Sequence, residues 1–381
     1  MKINKESAMR VVKLANIVGE SGFDFSAMHF MALIPSGDGL EVHFVNSTIT
    51  AKMQMPMAEG PATGVCLPKK EVLRFMEACN GDDIDIQVDG ELARLKHGKS
   101  RMTAKTIVLE GFPFPTPIDA AFSVPVQARH LQAALSLCCG LVSVSVESAN
   151  LDVHLALDQG LRAYTTDGKN LAHAEIPLDD TVSAALAGAQ TDICLSVKTA
   201  NTLIKMLDML EEESQVELLI SDRGLILEDP MHQWSFQCAL KCDAKAVPWR
   251  RIDEQQTQEI CRAPNIEAIQ DSMEVCMSVA DDKHVAVMIA IKADSFSLEL
   301  ENEKGSASGS TTDIEVLHQH MGYVPFLPIK ALFAFCRKFS STGQLHISEI
   351  GLPHAKPLKW EWHTEEGLKH VFMVTAAYMN K

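Results

Sequence analysis

Long apolar runs and a secretion signal are both missing from this sequence. Its first twenty residues carry apolar positions at helical spacing, but they have no continuous apolar core and no small-residue cleavage site. Apolar runs elsewhere, such as 131–146, are interrupted by polar residues or fall short of the roughly 20 residues that span a bilayer. We therefore expect a cytoplasmic protein without a membrane partner.

Motifs of catalysis and metal binding are missing too. The sequence has no G-x-S-x-G, P-loop, G-x-G-x-x-G or H-E-x-x-H. Its ten cysteines form no C-x-x-C pair and include the adjacent Cys138 and Cys139, a pattern typical of buried thiols in a reducing compartment. His318 and His320 could place two imidazoles on one strand face, but packed or exposed histidines are the commoner explanation. We predict no enzyme, no cofactor and no metal site.

Positive charge is scarce. The chain has 34 Lys and Arg against 50 Asp and Glu, a formal net charge of -16. This balance excludes a protein that coats nucleic acid with a uniformly basic surface. It does not exclude DNA as a partner, because the position of the charges matters more than their total.

What the sequence does contain is a weak repeat of about 120 residues, a normal domain size. Each unit has an amphipathic helix, strands, a second helix that follows a strand, and further strands. The Gly/Ser-rich segment 305–310 is expected to be a flexible loop, and the proline-rich stretch 111–117 a linker. The predicted fold class is α+β, with two helices packed on antiparallel sheets in each domain. The predicted helices cover 5–20, a segment that starts near Pro68, 126–141, 198–210, 265–279 and 329–339, and the predicted domains are 1–117, 118–250 and 251–381.

One motif and its neighbours make the repeat specific. The segment YTTDGKNLA (164–172) resembles the T-D-G-x-x-L-A signature of the bacterial β sliding clamp, the β subunit of DNA polymerase III. GKSRM (98–102) is similar to the family's G-x-S-R strand, and Phe112 with Pro113 resembles its first linker. VKT (197–199) resembles the entry to the second helix of the middle domain. PWRRI (248–252) resembles the P-x-Y-R-R-V linker, with one residue fewer after the proline and Trp249 in place of tyrosine. The chain is identified as a divergent member of this family.

The resemblance implies a non-enzymatic processivity factor of DNA replication. Family members form a homodimeric ring that encircles duplex DNA without sequence preference and tethers the polymerase and the clamp loader through short peptide motifs. Two alternatives stay open: a scaffold or decoy that captures clamp-binding proteins without forming a ring, and a hydrolase that uses Asp167 or a histidine. Asp167 beside Gly168 is more simply explained as a turn residue.

The inner wall of such a ring is helical, so its helices are expected to carry basic residues toward the phosphates. The first helix of the third unit is an exception, because it has acidic residues and neither Lys nor Arg. Charged helix surfaces are also common in ordinary proteins. The predicted DNA-facing residues are Lys5, Arg10, Lys13, Lys69, Lys70, Arg74, Arg129, Lys198, Lys205, Lys330, Arg337 and Lys338.

The resemblance also implies two protein-binding surfaces. The partner-peptide groove lies between the second and third domains of family members, and the dimer contact joins an edge strand of the first domain to the partner's third domain. Two departures affect the groove: Lys169 and Asn170 replace a frequent His-Arg pair, and the C-terminal ending lacks the usual proline. Buried core positions are the alternative for Leu151, Leu171 and Ile252. The predicted groove residues are Leu151, Thr166, Gly168, Lys169, Leu171, Pro248, Arg251, Ile252, Phe372, Met373 and Val374, and the predicted dimer residues are Met102, Ala104, Ser278 and Val279.

Overall fold

The structure is a computed structural model, and it describes most of the chain. The described residues are 2–19, 26–37, 39–56, 63–79, 83–144, 152–157, 160–186, 191–211, 213–221, 223–229, 231, 233–241, 249–280, 286–302, 305–339, 343–351, 357–364 and 366–374.

Eight α-helices lie within these residues, and all six predicted helices are among them. The first helix of the third unit is shorter than predicted, because its start is a 3-10 turn at Ile266–Ile269. Two short helices were not predicted, and one of them occupies the second predicted linker. The helices are α1 (Lys5–Val18), α2 (Lys69–Ala78), α3 (Ala128–Val144), α4 (Asp180–Ala185), α5 (Val197–Leu207), α6 (Trp249–Asp253), α7 (Gln270–Met277) and α8 (Phe326–Lys338).

The chain divides into two compact units, Met1–Gln127 with Lys205–Leu240, and Ala128–Ile204 with Lys241–Lys381. The first unit contains β1 (Lys2–Ile3), β2 (Phe30–Ser36), β3 (Gly39–Val45), β4 (Ile49–Pro56), β5 (Val65–Pro68), β6 (Ile84–Asp89), β7 (Leu92–His97), β8 (Ser100–Lys105), β9 (Phe122–Gln127), β14 (Gln215–Ile220), β15 (Gly224–Glu228) and β16 (Trp234–Ala239). They form a four-stranded sheet in the order β1-β6-β7-β8 and an eight-stranded sheet in the order β5-β2-β3-β4-β16-β15-β14-β9.

The second unit has a nine-stranded sheet in the order β13-β10-β11-β12-β25-β24-β23-β17-β21 and a four-stranded sheet in the order β20-β19-β18-β22. Its strands are β10 (Asp152–Leu157), β11 (Leu161–Thr166), β12 (Leu171–Ile176), β13 (Thr191–Ser196), β17 (Thr257–Ala263), β18 (Ala286–Lys292), β19 (Ser295–Asn302), β20 (Gly305–Thr311), β21 (Glu315–Val316), β22 (His320–Pro325), β23 (Leu345–Ile350), β24 (Leu358–His363) and β25 (Lys369–Val374).

Strand pairing repeats three times along the chain. In each repeat one strand precedes the first helix and pairs antiparallel with the first strand after the second helix: β1 with β6, β9 with β14, and β17 with β23. The three strands after the first helix of each repeat form a meander, and the last of them is β4, β12 or β20. The predicted α+β fold with antiparallel sheets is therefore confirmed, whereas the domain limits 1–117, 118–250 and 251–381 remain a prediction.

The repeats are joined by continuous sheets at two places. At the first junction β4 pairs antiparallel with β16, inside the first unit, and at the second junction β12 pairs antiparallel with β25, inside the second unit. Each junction thus places the end of one repeat's meander beside the last strand of the next repeat.

The sequence-based prediction of a flexible loop at 305–310 is wrong. It forms strand β20, which pairs with β19 from Phe296 opposite Thr311 to Asn302 opposite Gly305. Small side chains are needed here, because a Cβ added at Gly309 would lie 2.3 Å from the carbonyl oxygen of Ser272 in α7. The glycine and serine residues allow close packing of the strand on the helix.

Candidate partner groove and cationic helix surfaces

The motif that carries the family resemblance forms the tight turn between β11 and β12. Asp167 Oδ1 accepts hydrogen bonds from the backbone N–H groups of Lys169 at 2.9 Å and Asn170 at 2.6 Å. Thr166 Oγ1 donates to the carbonyl of Asn170 at 2.6 Å and accepts from the N–H of Gly168 at 3.0 Å. Gly168 has φ of 80°, a backbone conformation that favours glycine. The motif is therefore a self-capped turn, and Asp167 has the turn role that the sequence favoured.

An apolar cluster lies directly beneath this turn. Leu171 begins β12 and stands opposite Met373 of β25. Both pack in a buried cluster with Tyr164, Trp249 and Val371. Leu171 is 0% exposed and Met373 is 2% exposed. These side chains form the floor of the second junction.

Trp249 fixes the linker helix α6 on this floor. Its ring centroid lies 5.4 Å from that of Tyr164 and 5.2 Å from that of His173. The guanidinium groups of Arg162 and Arg250 lie 5.6 Å and 5.5 Å from the centre of its ring. Such cation–π contacts add to the burial of a large aromatic surface. The segment that resembles a linker is consequently a packed helix.

A charge network anchors the other end of α6. Asp253 contacts Lys359 Nζ at 2.7 Å and the buried His173 Nε2 at 3.3 Å. Lys359 also contacts Glu361 at 3.1 Å, and Glu361 contacts Lys369 at 3.4 Å. Burial by itself would raise the pKa of Asp253, but the hydrogen bonds and charges of His173 and Lys359 outweigh it and hold that pKa well below its usual value. The network ties α6 to β12 and β24.

The structure separates the predicted groove residues into accessible and buried positions. Gly168, Lys169 and Arg251 are exposed, whereas Thr166 is buried. Because Leu171, Phe372, Met373 and Val374 are core positions in this structure, an interface can reach them only where the surface above them opens. Leu151 and Pro248 lie outside the described residues, and Ile252 is placed only by its backbone, in α6.

Most of the predicted DNA-facing cations are exposed on their helices. Lys69 is different: its side chain is only 5% exposed and its ammonium donates to the carbonyl of Gly19 at 2.8 Å. It links the start of α2 to the end of α1, so we leave it out of the cationic surface. Arg129 is half-buried and lies 3.7 Å from Glu366. The exposed members are Lys5, Arg10, Lys13, Lys70, Arg74, Lys198, Lys205, Lys330, Arg337 and Lys338.

The predicted dimer residues lie on an edge strand and at a helix end. Met102, half-buried, and Ala104, 8% exposed, belong to β8, the last strand of its sheet. Ser278 and Val279 directly follow α7, which packs on β20. Strand β20 is also the last strand of its sheet. Both predicted contact regions therefore adjoin open sheet edges.

The remaining sequence expectations concern cysteines, histidines and membranes. The nine cysteines within the described residues are buried free thiols, and burial raises the pKa of Cys139 to about 12. His320 is buried and its Nδ1 lies 2.8 Å from Glu349, whereas His318 is exposed. The described residues contain no cluster of three or more His, Cys, Asp or Glu suited to a metal ion. Among these residues there is also no helix with the length and apolar character needed to cross a bilayer.

The architecture, three repeats joined through continuous antiparallel sheets, is that of the sliding-clamp fold. A DNA polymerase III β-subunit sliding clamp from Pseudomonas aeruginosa, in a crystal structure with griselimycin, matches 100% of this chain and 99% of its own with a TM-score of 0.80 and 13% identity. The sliding clamp from Bacillus subtilis matches with a TM-score of 0.79 and 15% identity, over 99% of this chain and 98% of that one. The clamp from Caulobacter crescentus gives 0.76 and 15%, over 99% of both chains.

Comparison by sequence alone gives no match, either to a protein-family model or to a curated protein. The chain therefore has the fold of the bacterial DNA polymerase III β sliding clamps over its whole length, at 13% to 15% identity to these three structures. The resemblance that the motifs 98–102, 164–172 and 248–252 indicated is confirmed at the level of the fold.

Proposed function

We propose that this chain is a DNA sliding clamp. In this proposal it is a non-catalytic, cytoplasmic processivity factor that forms a homodimeric ring around duplex DNA and tethers a DNA polymerase and its clamp loader. The observation that carries the proposal is the pair of open strand edges left by the three-fold repeat of strand pairing.

The repeat indicates how two copies would pair. The last strand of the first meander pairs with the last strand of the second repeat at the first junction, and the last strand of the second meander pairs with that of the third repeat at the second junction. The corresponding strands left over are β20 and β8, and each ends its sheet. Pairing β20 of one copy with β8 of the other satisfies both edges and closes after two copies.

The residues along these edges suit such an interface. Met102 and Ala104 would contribute the side chains of β8. Ser278 and Val279 follow α7, and Gly309 packs so tightly on that helix that β20 has a rigid support. An unpaired strand supported in this way presents its backbone N–H and C=O groups to a partner at little entropic cost.

Light scattering of the full chain tests the interface. We expect a dimer at micromolar concentration, and we expect Met102→Lys to produce monomers because it places a charge in the new sheet. Met321→Lys is the matched control, since Met321 is 69% exposed on β22, another edge strand. A monomeric wild type, or equal dissociation by both variants, contradicts the proposed ring.

The DNA contact follows from the exposed cations on α1, α2, α5 and α8. Scattered phosphate contacts give attraction without sequence reading, so the protein can slide. Retention then depends on ring closure rather than on tight binding. This reconciles the net charge of -16 with a DNA partner.

Retention on circular DNA tests this mechanism. The protein loaded onto a nicked circle should stay bound through gel filtration and should be lost when the circle is linearised. A scaffold that captures peptides without encircling DNA would show no such difference. Lys198→Ala with Lys205→Ala should lower the slope of log K against log salt by up to about 2. Lys96→Ala with Lys292→Ala, exposed strand lysines, should leave it unchanged.

The partner groove is proposed at the turn 166–170 and the exposed face of α6. Lys169 and Arg251 are its accessible charged residues, and Leu171 and Met373 form the apolar floor. A fluorescent peptide with leucine and phenylalanine anchors should bind there. Arg251→Glu should weaken binding at least about tenfold, the change that 1.4 kcal/mol produces. Arg94→Glu, an exposed position on the inner strand β7, is the control.

A further inference from the structure

A solvent-accessible cavity of about 620 Å³ lies at the first junction. It is lined by the turn after β3, by residues 115–119 at and beyond the end of the first linker, by Ser221 and Arg223, and by the end of β16. All of these segments belong to the first unit. The volume is within the range of peptide and small-molecule sites, roughly 300–1,000 Å³.

This cavity is the repeat counterpart of the proposed partner groove. Val45 pairs with Thr50 across one turn, as Thr166 pairs with Leu171 across the other. Thr50 then stands opposite Gln237 in β16, as Leu171 stands opposite Met373 in β25. In the strand register, Thr50 therefore corresponds to Leu171, and Gln237 corresponds to Met373.

The two turns also share their hydrogen bonds. Asn46 Oδ1 accepts from the backbone N–H of Thr48 at 2.9 Å and of Ile49 at 2.8 Å. Asp167 accepts from the corresponding groups of Lys169 and Asn170. In both turns the side chain of an Asn or Asp accepts hydrogen bonds from the backbone N–H groups two and three residues after it. The correspondence thus includes the local geometry as well as the sheet register.

The chemistry of the two sites differs at the corresponding positions. Where the second junction has a buried leucine and methionine, the first has the half-buried Thr50 and Gln237. Gln237 Nε2 donates to the carbonyl of Thr116 at 3.1 Å. Within the described residues no hydrogen bond uses the backbone N–H of Thr116 or Ile118. An extended ligand could therefore find hydroxyl, amide and backbone partners along one wall.

The charges at the cavity limit what can bind. Among the described residues, the lining includes the acidic Asp119 and the basic Arg223, and both are exposed. A carboxylate and a guanidinium on the same lining disfavour both a polyanion such as nucleic acid and a strongly charged peptide tail. They suit a neutral peptide whose side chains donate and accept hydrogen bonds.

We propose that the first-junction cavity is a second docking site, which binds an extended, uncharged peptide rich in Asn, Gln, Ser and Thr. Apolar anchors are disfavoured because they would displace water from the Thr50 hydroxyl and the Gln237 side-chain carbonyl without replacing its hydrogen bonds. The two related junctions would then bind two peptide chemistries, polar at the first and apolar at the second. The proposal depends on the cavity and its lining, and it holds whether or not the chain forms a ring.

Methyl NMR of the full chain with labelled isoleucine tests the site. Ile118 and Ile49 line the cavity and report on it, with the Ile118 signal assigned through Ile118→Val. The probes are a blocked heptapeptide of Asn, Gln, Ser and Thr, and a matched peptide with Leu and Met at two positions. We expect the polar peptide to shift the Ile118 and Ile49 signals saturably and to leave Ile347, in β23 of the other unit, unchanged.

Replacing two polar residues of the cavity, Thr50 and Gln237, by apolar ones should reverse its preference between the two peptides. Thr50→Leu with Gln237→Met should weaken the polar peptide at least about tenfold and strengthen the Leu/Met peptide at this site. Thr257→Leu with Gln258→Met, exposed positions on β17, should change neither affinity. If the double variant is unstable, Gln237→Met alone is measured, with an expected loss of about threefold. Absence of Ile118 shifts at millimolar polar peptide, or equal affinity after the exchange, overturns the proposal.

Discussion

The two junctions have the same backbone register and different interiors. At the second, Leu171, Met373 and Trp249 form a buried apolar floor and a helix covers it. At the first, Thr50 and Gln237 occupy the corresponding places, the linker forms no helix over 112–120, and a solvent-accessible cavity remains. Sheet pairing alone is therefore enough to join two repeats, and the side chains above it are available for a separate function. Four predictions compare the junctions.

The largest effect is expected from making the second junction polar. Leu171→Thr with Met373→Gln removes two buried apolar side chains and buries a hydroxyl and an amide without designed partners. The expected loss is at least about 4 kcal/mol of unfolding free energy. The reverse exchange at the first junction, Thr50→Leu with Gln237→Met, should cost below about 1 kcal/mol because both positions are half-buried. Urea unfolding monitored by circular dichroism measures both, and similar losses would mean that the junctions have equivalent interiors.

A smaller loss is expected at the linkers. Trp249→Ala should cost about 3 kcal/mol, because the indole is 8% exposed and contacts Tyr164 and His173. Phe114→Ala in the first linker should cost about 1 kcal/mol or less, since that ring is 41% exposed. The same unfolding assay compares the two, and an equal cost would show that α6 is no better anchored than the first linker.

The acidic residues near the ends of the two linkers, Asp253 and Asp119, should contribute differently to stability. The contribution of Asp253 should depend on pH, and that of Asp119 should not. Asp253→Asn should cost about 2 kcal/mol at pH 7, less than a fully buried pair because Asp253 keeps 16% exposure. The pKa of Asp253 is lowered in the folded state, so its contribution is present above the unfolded pKa of about 4 and is lost as the pH falls below it. The difference between wild type and variant should shrink between about pH 4 and pH 2.

Asp119→Asn is the control for this measurement. Asp119 is exposed in the first linker, so its replacement should change stability by less than about 0.5 kcal/mol at any of these pH values. A constant difference between wild type and Asp253→Asn across the range would show that the ionised Asp253 carboxylate gains no stability from His173 and Lys359.

The smallest effect is expected at the turns. Gly168→Ala should cost about 1 kcal/mol, because φ of 80° is unfavourable for an L-amino acid with a Cβ although the space around it is open. Ser47→Ala at the corresponding position of the first turn should cost less than about 0.5 kcal/mol. Thermal unfolding resolves a difference of this size, and an unaffected Gly168→Ala would show that the turn relaxes.

Much of the fold was predictable because hydrophobic periodicity is local. The spacing of apolar residues in α1, α3 and α8 placed those helices within a few residues of their true limits. The Gly/Ser segment 305–310 was misassigned, because composition indicates loops while pairing with β19 and packing on Ser272 decided the strand. Helix α6 was missed since Pro248 and the following arginines indicate a linker, and no local signal shows that Trp249 has a pocket.

The candidate site was predictable only in part, for the same reason. The turn 166–170 could be recognised from its own residues, because Asp167 and Gly168 form it without distant help. Burial of Leu171 depends on β25, which is about 200 residues away in the chain. Lys69 was expected on a charged surface, but its ammonium instead caps the carbonyl of Gly19.

The sequence by itself determined the repeat, the helix positions, the capped turn and the number of cations, because each depends on neighbouring residues and short-range hydrogen bonds. Only the tertiary structure decided which strands meet at the two junctions, which edges stay open, and which cations keep their exposure. Those outcomes require contacts between segments that are distant in the sequence, from 50 residues for Lys69 and Gly19 to about 200 for the two strands of the second junction. Their free energy comes from burial that no local pattern records.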